Sequence, residues 1–404
     1  MNVVVIGGGA AGFFAAIRAA EVAPHARVLL LERTDKVLAK VRISGGGRCN
    51  TTHACLQPAQ LVKHYPRGGR FLKKPFQRFG SRETINWFAE RGVELKTEAD
   101  GRMFPTTDDS RTIIDCLTSA AQRAGVEVRM GASVRALRST SKGFHLTLTD
   151  ASELQADRVI VTTGGHPKAE GYAWLAALGH TIVAPLPSLF TFNMPGEAIR
   201  ELMGVVASPA RVRIAGTDLE STGPLLITHW GMSGPAVLKL SAWGARAIHA
   251  LGYTFTAQVN WLGGTSEHDV RERLITHVDD IARKQAINAD PFGLPKRLWA
   301  FLLNKAGIAA ERPWGELPHH DRNRMIDILT NDRYAVQGKT TFKEEFVTAG
   351  GIDLSEVDPA TMESRRCAGL YFAGEVLDID GVTGGFNFQA AWTTGYLAGN
   401  AMAV

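Results

Sequence analysis

The chain has 404 residues, a formal net charge of +5, 45% hydrophobic and 21% charged residues, and four scattered cysteines. That length predicts two or three domains, and the composition describes a soluble globular protein with no apolar run near the roughly 20 residues of a membrane span. Cys49, Cys55, Cys116 and Cys367 lack C-x-x-C spacing, so neither a metal site nor a disulfide framework is expected. No basic segment precedes the first apolar run, so a cytoplasmic protein without a signal peptide is expected.

A strand over 3–6 opens the chain. Gly7, Gly9 and Gly12, with Ala10 and Ala11 between, complete G-x-G-x-x-G, and 13–20 reads as an alanine-rich helix. Gly7 permits the tight turn, Gly9 lets a pyrophosphate approach the backbone, and Gly12 lets the helix pack on the strand. The helix N-terminus offers N–H groups and the positive end of its dipole. A second strand, Arg27–Leu31, delivers Glu32, with Arg33 beside it, twenty residues after Gly12. A carboxylate there accepts hydrogen bonds from both ribose hydroxyls and repels a 2′-phosphate. This context predicts a bound dinucleotide.

An irregular stretch over 34–53 follows. Helices are expected over 81–91, with Ile85, Phe88 and Ala89 on one face, and over 109–124, capped by Asp109 or Ser110. A short strand over 126–130 precedes alternating strands over 134–137 and 144–148 and a buried strand over 159–163. From about Pro185, prolines punctuate strand-like runs at 211–215, 225–228 and 253–259, with one helix over 235–249. Runs 267–289, 296–307 and 321–329 read as helices of a small subdomain. Near Gly350 the β/glycine texture returns: 369–375 is a strand entering a turn, and 388–402 a closing helix. The expected class is α/β. A Rossmann-like dinucleotide domain of 1–184 and 345–404 is interrupted by a β domain over 185–265 and by a helical subdomain with its return segment over 266–344.

Four segments are expected to converge on one extended ligand. The first is the fingerprint. The second is the loop 40–50, where Gly45, Gly46 and Gly47 strip side chains so that a flat ring or phosphate can approach. Ser44 and Asn50 add hydrogen-bonding groups there, and Lys40, Arg42 and Arg48 add charge. The third is Val134 with Thr163, Gly164 and Gly165, at the carboxyl end of a strand. The fourth joins Gly374 and Glu375 to Gly384, Gly385, Phe386, Asn387, Phe388 and Gln389, where a glycine pair at a helix N-terminus suits partial negative charge. Only one dinucleotide fingerprint is present. The bound cofactor is therefore read as a flavin, with any nicotinamide a transient visitor.

These residues carry a family resemblance. The chain resembles the HI0933-like flavoproteins, also called BaiN-type NAD(P)/FAD-dependent oxidoreductases, through GGGAAG, LAKVRISGGGRCN, LLITHWGMSGPAVLKLS at 225–241, VTAGGIDLSEVDPATMESR at 347–365 and GLYFAGEVLDIDGVTGGFNFQAAWTTGYLAGN at 369–400. The resemblance spans nearly the whole chain. It implies a two-dinucleotide-type FAD fold with an inserted β-barrel-like domain and a helical domain. It also implies noncovalent FAD, with 44–47 and 383–388 near the isoalloxazine. In the family, GRCN is followed by one residue and then Thr-Asn; here the sequence is Asn50-Thr-Thr-His53.

Three residues are candidates for catalysis. His53 reads as a proton donor or as a hydrogen-bonding substitute for the amide. Cys49 reads as a redox thiol or as packing beside the cofactor, and Cys55 lies six residues on rather than at the spacing of a disulfide reductase. His229 in 228–233 reads as a pocket lining or as a structural turn. His319 and His320 are a helix start, not a metal site.

The expected activity is FAD-dependent oxidoreduction of a small molecule, with NAD(P)H a possible electron donor. A flavin-dependent oxidase of a small amine and a non-catalytic, RNA-associated FAD-binding protein are the alternatives. The basic cluster Lys63, His64, Arg67, Arg70, Lys73, Lys74 and Arg78 is either a solvated face or an anion surface. No nucleic-acid motif accompanies it, so neither nucleic acid nor membrane is an expected partner.

Overall fold

The computed structural model describes residues 1–340 and 347–403. Met1–Ser188 with Phe342–Val404 forms one compact unit and Leu189–Thr341 a second. The expected chain return at 344/345 lies outside the described residues. Residues 185–188, expected in the insert, belong instead to the strand Ile182–Ser188, which pairs antiparallel with Val347–Ile352 in the first unit.

The first unit is organised by a five-stranded parallel sheet with the order Leu370–Phe372, Arg158–Val161, Asn2–Ile6, Arg27–Leu31, Glu127–Arg129. Val3, Val5, Leu30, Ile160 and Phe372 are fully buried, as expected for strands covered on both faces. The N-terminal helix Ala10–Val22 packs against the closing helix Phe386–Asn400. Gly395 and Gly399 allow that approach: a Cβ on either would lie 2.5 Å from Ala11 O or 2.4 Å from Ala15 O. Phe14, Trp87, Phe88 and Trp392 fill the core beside them. Asp109 caps the helix Ser110–Arg123 through a side-chain bond to the Arg111 N–H. The stretch 34–53 is more ordered than expected: Ala39–Ile43 is helical and Ser44–Gly47 forms a tight turn. Periodicity cannot detect elements this short.

The second unit holds a seven-stranded antiparallel sheet. Asp332–Gln337 forms one edge and Lys339–Thr340 the other, with only Gly338 between them, so one run of chain supplies both edges. The helices expected as a separate subdomain share one core with these strands, since Val212, Leu240, Trp261, Leu298 and Met325 belong to one buried cluster. The single helix expected over 235–249 is two, Pro235–Trp243 and Ala245–Ala250, broken at Gly244. A side chain at Gly244 would press on Leu219 and Ile248 at 3.0 Å. No helix of the described residues is long and apolar enough to cross a membrane.

Candidate functional site

The strand–turn–helix at the N-terminus is built without room for alternatives. Gly7 has φ +117°, and its Cβ would lie 2.4 Å from Thr162 O; a Cβ on Gly12 would lie 1.9 Å from Gly7 O. Thr162 reinforces the turn by donating from its hydroxyl to Ile6 O and Gly7 O at 3.0 and 2.9 Å. Gly9 differs from both: nothing lies within 4 Å of its Cβ position, so the space beside it is open. Gly9 is the N-cap of Ala10–Val22 and no side chain caps that helix. Its first-turn N–H groups therefore face that opening without a side-chain acceptor, as a diphosphate site requires.

Glu32 is held at the end of its strand. Its carboxylate accepts from the Gly8 N–H at 2.8 Å and from the N–H and hydroxyl of Thr34, both at 2.9 Å. Both Thr34 donors end on Oε1, which they fill, whereas Oε2, with its single bond from Gly8, retains lone-pair capacity for a ribose hydroxyl. The Ala132 N–H donates to Glu32 O at 2.8 Å, which brings the start of the strand Val134–Thr140 alongside. Arg33 and Arg42 are exposed.

At the other end, Gly45, Gly46 and Gly47 have φ of +59°, +69° and +87°. Three successive left-handed residues make a turn that side chains oppose. The Cβ positions of Gly46 and Gly47 are open, whereas that of Gly45 meets the Phe104 ring at 2.8 Å. Asn50, with its amide oxygen toward Gly385, accepts that N–H at 3.0 Å and donates to Thr52 O at 3.2 Å. Gly385 has φ +88° and begins the closing helix without a side-chain cap. Beneath this contact, the Thr52 hydroxyl donates to Gln389 Oε1 at 2.6 Å, Gln389 Nε2 donates to Thr393 at 3.0 Å, and Trp392 Nε1 donates to Thr51 O at 2.9 Å. Asn387 clamps the backbone of Gly381 at 2.8 and 3.0 Å, and Phe388 stacks on Trp392.

The four expected segments do meet. Leu38 N–H donates to Gly8 O, and a Cβ on Gly374 would touch Ala11. Gly165 is pressed between Thr348 and Glu375, and Glu375 pairs with Lys40 at 2.8 Å while accepting from the Thr348 N–H at 2.7 Å. Thr163 is exposed at its strand end, beside Gly164 at φ +74°.

Several residues have other duties than their spacing suggested. Arg48 pairs with Glu98 at 2.7 Å and lies over the Phe104 ring at 4.0 Å. Gln389 is fully buried and acts as a tie beneath the loop. Ser44 donates to Val41 O within its own turn. Cys49 is fully buried, and burial pushes its thiol up to about 11, so it is not a thiolate at neutral pH. His53 meets Asp100 O through Nε2 at 3.1 Å and accepts the Cys55 N–H at Nδ1 at 3.1 Å, while its ring stacks on Phe386. Its tautomer is thereby set as Nε2–H and both nitrogens have protein partners. His229 lies in the second unit, at the exposed turn between Glu220–Thr228 and Gly231–Ser233, with its carbonyl accepting from Arg200 at 2.7 Å.

The sequence analysis overlooked Thr34, Thr52 and Thr348, whose bonds orient Glu32, the glycine loop and Glu375. It also overlooked the buried pair Arg67–Asp380, to which Ser188 donates at 2.7 Å. Burial raises the Asp380 pKa while the Arg67 guanidinium opposes that rise. Thr34 is two residues from Glu32, whereas no local pattern announces the pairs Thr52–Gln389, Thr348–Glu375 and Arg67–Asp380, whose members lie far apart in the chain.

Comparison with known proteins bears on the family and the fold. The description "HI0933-like protein Rossmann domain" matches residues 1–401. A 3-dehydro-bile acid delta(4,6)-reductase of Clostridium scindens is 31% identical over 99% of this chain and 98% of its own. A ribosomal RNA dihydrouridine synthase of Escherichia coli is 29% identical over 98% and 96%. Among solved structures, the 3-ketosteroid-delta4-(5alpha)-dehydrogenase of Rhodococcus jostii superposes with a TM-score of 0.51 at 16% identity, covering 100% of this chain and 96% of that one, a likeness of fold alone.

Proposed function

The chain belongs to the HI0933-like family of FAD-binding flavoprotein oxidoreductases, and from that premise we propose that it reduces a carbon–carbon double bond conjugated to a carbonyl, with NAD(P)H as electron donor. One observation carries this reading. The two relatives differ in substrate, yet their names describe one chemistry. A delta(4,6) bond beside a 3-oxo group and the C5–C6 bond of uracil are both alkenes made electron-poor by a carbonyl.

When bound, FAD supplies a ring that accepts hydride from a reduced nicotinamide and passes it to the electron-poor carbon. The chain's own residues bind and orient. The Gly9 opening and the uncapped helix N-terminus would hold the diphosphate, and Glu32 the ribose. The side-chain-free surface of 45–47 and the first-turn N–H groups of the helix that follows Gly385 would lie against the ring. Cys49 does not serve as a dithiol relay, since its thiol is neutral and buried.

Anaerobic addition of NADH or NADPH to the purified holoprotein tests the reading. Bleaching of the flavin band, followed by its recovery on adding cyclohex-2-enone but not cyclohexene, is the expected result. A flavin that is reduced by amines and ignores both nicotinamides would point to the oxidase instead.

A further inference from the structure

A cleft of about 180 Å³ lies in the second unit, which supplies none of the segments assigned to the flavin. Its floor is the outer face of the seven-stranded sheet. Arg211 stands opposite Asn260, and Arg213 opposite Gln258, on antiparallel neighbours, so all four side chains share one face. Their neighbours Val212, Ile214, Ala257 and Val259 turn inward and are fully buried. One wall is the turn that follows Asn260. Asn260 holds that turn by accepting from the Leu262 and Gly264 N–H groups at 2.9 and 3.2 Å and by donating to Thr265 O at 2.9 Å. Ser266 then caps the helix Glu267–Ile281 by accepting the Asp269 N–H at 3.1 Å.

The charges on the floor are left over. Arg211 is half-buried, and its guanidinium has no hydrogen-bond or ion-pair partner among the described residues. Gly264 leaves it room: a Cβ there would lie 3.3 Å from Arg211 Nη1. Arg213, about 7 Å further along the strand, reaches only the Thr217 carbonyl, at 3.4 Å. Glu220 faces Arg213 across the strand pair, and Glu267 lines the cleft, yet among the described residues neither forms an ion pair with these arginines. A guanidinium drawn partly out of water without an acceptor is costly, and two on one face repel. An anion between them relieves both penalties, and the planar fork of arginine matches a phosphate through two parallel bonds. The side-chain amides of Gln258 and Asn331, also in the lining and without partners among the described residues, supply neutral donors. Pockets for drug-sized ligands are mostly apolar and span about 300–1,000 Å³. This cleft is smaller and its lining is polar throughout, which excludes a bulky apolar ligand.

We propose that the cleft binds a phosphate group carried on a small polar molecule, with Arg211 and Arg213 as its cationic clamp. The site needs nothing from the flavin or from the reaction proposed above.

Calorimetric titration of inorganic phosphate into the FAD-loaded holoprotein, with ionic strength held constant by chloride, tests this. Saturable binding by the parent is expected. Arg211→Ala, with its flavin band and melting temperature checked against the parent, should bind at least about tenfold more weakly, as the loss of a charged hydrogen-bond donor implies. Arg211→Lys keeps the charge but not the fork and should fall between the two. Arg213→Glu sits at an exposed position where folding is little affected, and it should abolish binding. Glu267→Gln removes the carboxylate from the lining and should tighten phosphate by about threefold. No saturable binding by the parent, or parental binding by Arg211→Ala and Arg213→Glu, would overturn the proposal. So would weaker binding by Glu267→Gln, which would mark a site for cations. Acetate that displaces phosphate at equal concentration would overturn the phosphate assignment in favour of a carboxylate.

Discussion

At the proposed adenosine end of the flavin site, Gly7, Gly12 and Glu32 lie on one continuous strand–turn–helix–strand run. At the proposed ring end, the left-handed turn of Gly45–Gly47 is backed by Asn50 and Thr52 meeting Gly385 and Gln389, and Thr52 lies 337 residues from Gln389. The first end is held by backbone sterics, where a single Cβ would overlap a carbonyl. The second is held by side-chain hydrogen bonds that can be removed one at a time. Local motifs of the first kind fail abruptly, and composite ones fail by degrees.

The sharpest break falls on the local end. Gly12→Ala places a methyl 1.9 Å from Gly7 O and should cost about 3 kcal/mol or more. The expected outcome is protein purified with little or no flavin, read from its visible absorbance. Glu32→Ala is gentler. It leaves the Gly8 N–H without its charged acceptor and removes the ribose contact, for an expected ten- to hundredfold loss of FAD affinity, on the order of 1.5–3 kcal/mol. Reconstitution of apoprotein with FAD measures it.

Gln389→Ala probes the composite end. It removes the fully buried acceptor of the Thr52 hydroxyl and should lower stability by about 1–3 kcal/mol. Flavin should remain bound, because the diphosphate end is untouched, while the rate of flavin reduction falls. Flavin loss as complete as in Gly12→Ala would erase the distinction between the two ends. The smallest effect concerns Cys49. Its thiol, pushed up to about 11 by burial, stays protonated and inaccessible through the neutral range, as does that of Cys116, also near 11. Iodoacetamide at mildly alkaline pH should therefore modify the half-buried Cys55 and Cys367 first. Intact mass and peptide mapping read this; early alkylation of Cys49 would show that the loop opens in solution.

The contrast also explains what could be read from the chain. Gly7, Gly9, Gly12 and Glu32 were legible because their places in the turn and at the strand end follow from spacing along one unit, and Ser110–Arg123 because Asp109 announces its start. The glycine run at 45–47 was legible as a place without side chains, but its left-handed geometry was not. Arg48 and Gln389 were legible as polar residues near a ligand segment, yet Glu98 and Thr52 claim them. The partner decides the role of a charged or amide side chain, and partners distant in sequence leave no periodic trace. The same limit hid the shared core of the second unit, where strands and helices that read as separate textures bury one another.

By itself, then, the amino-acid order determined a Rossmann-type strand–turn–helix with its glycines, the strand that ends at Glu32, and the glycine-rich segments that the fold gathers around it. These follow from backbone sterics and short-range spacing, which act within a few residues. Tertiary structure decided which polar residues tie the scaffold, that Cys49 is buried and protonated, and that Arg70, Lys73 and Lys74 are left exposed on the helix Gly69–Arg78. Burial and ion pairing are settled only when distant segments pack together, because desolvation and Coulomb energy depend on neighbours in space.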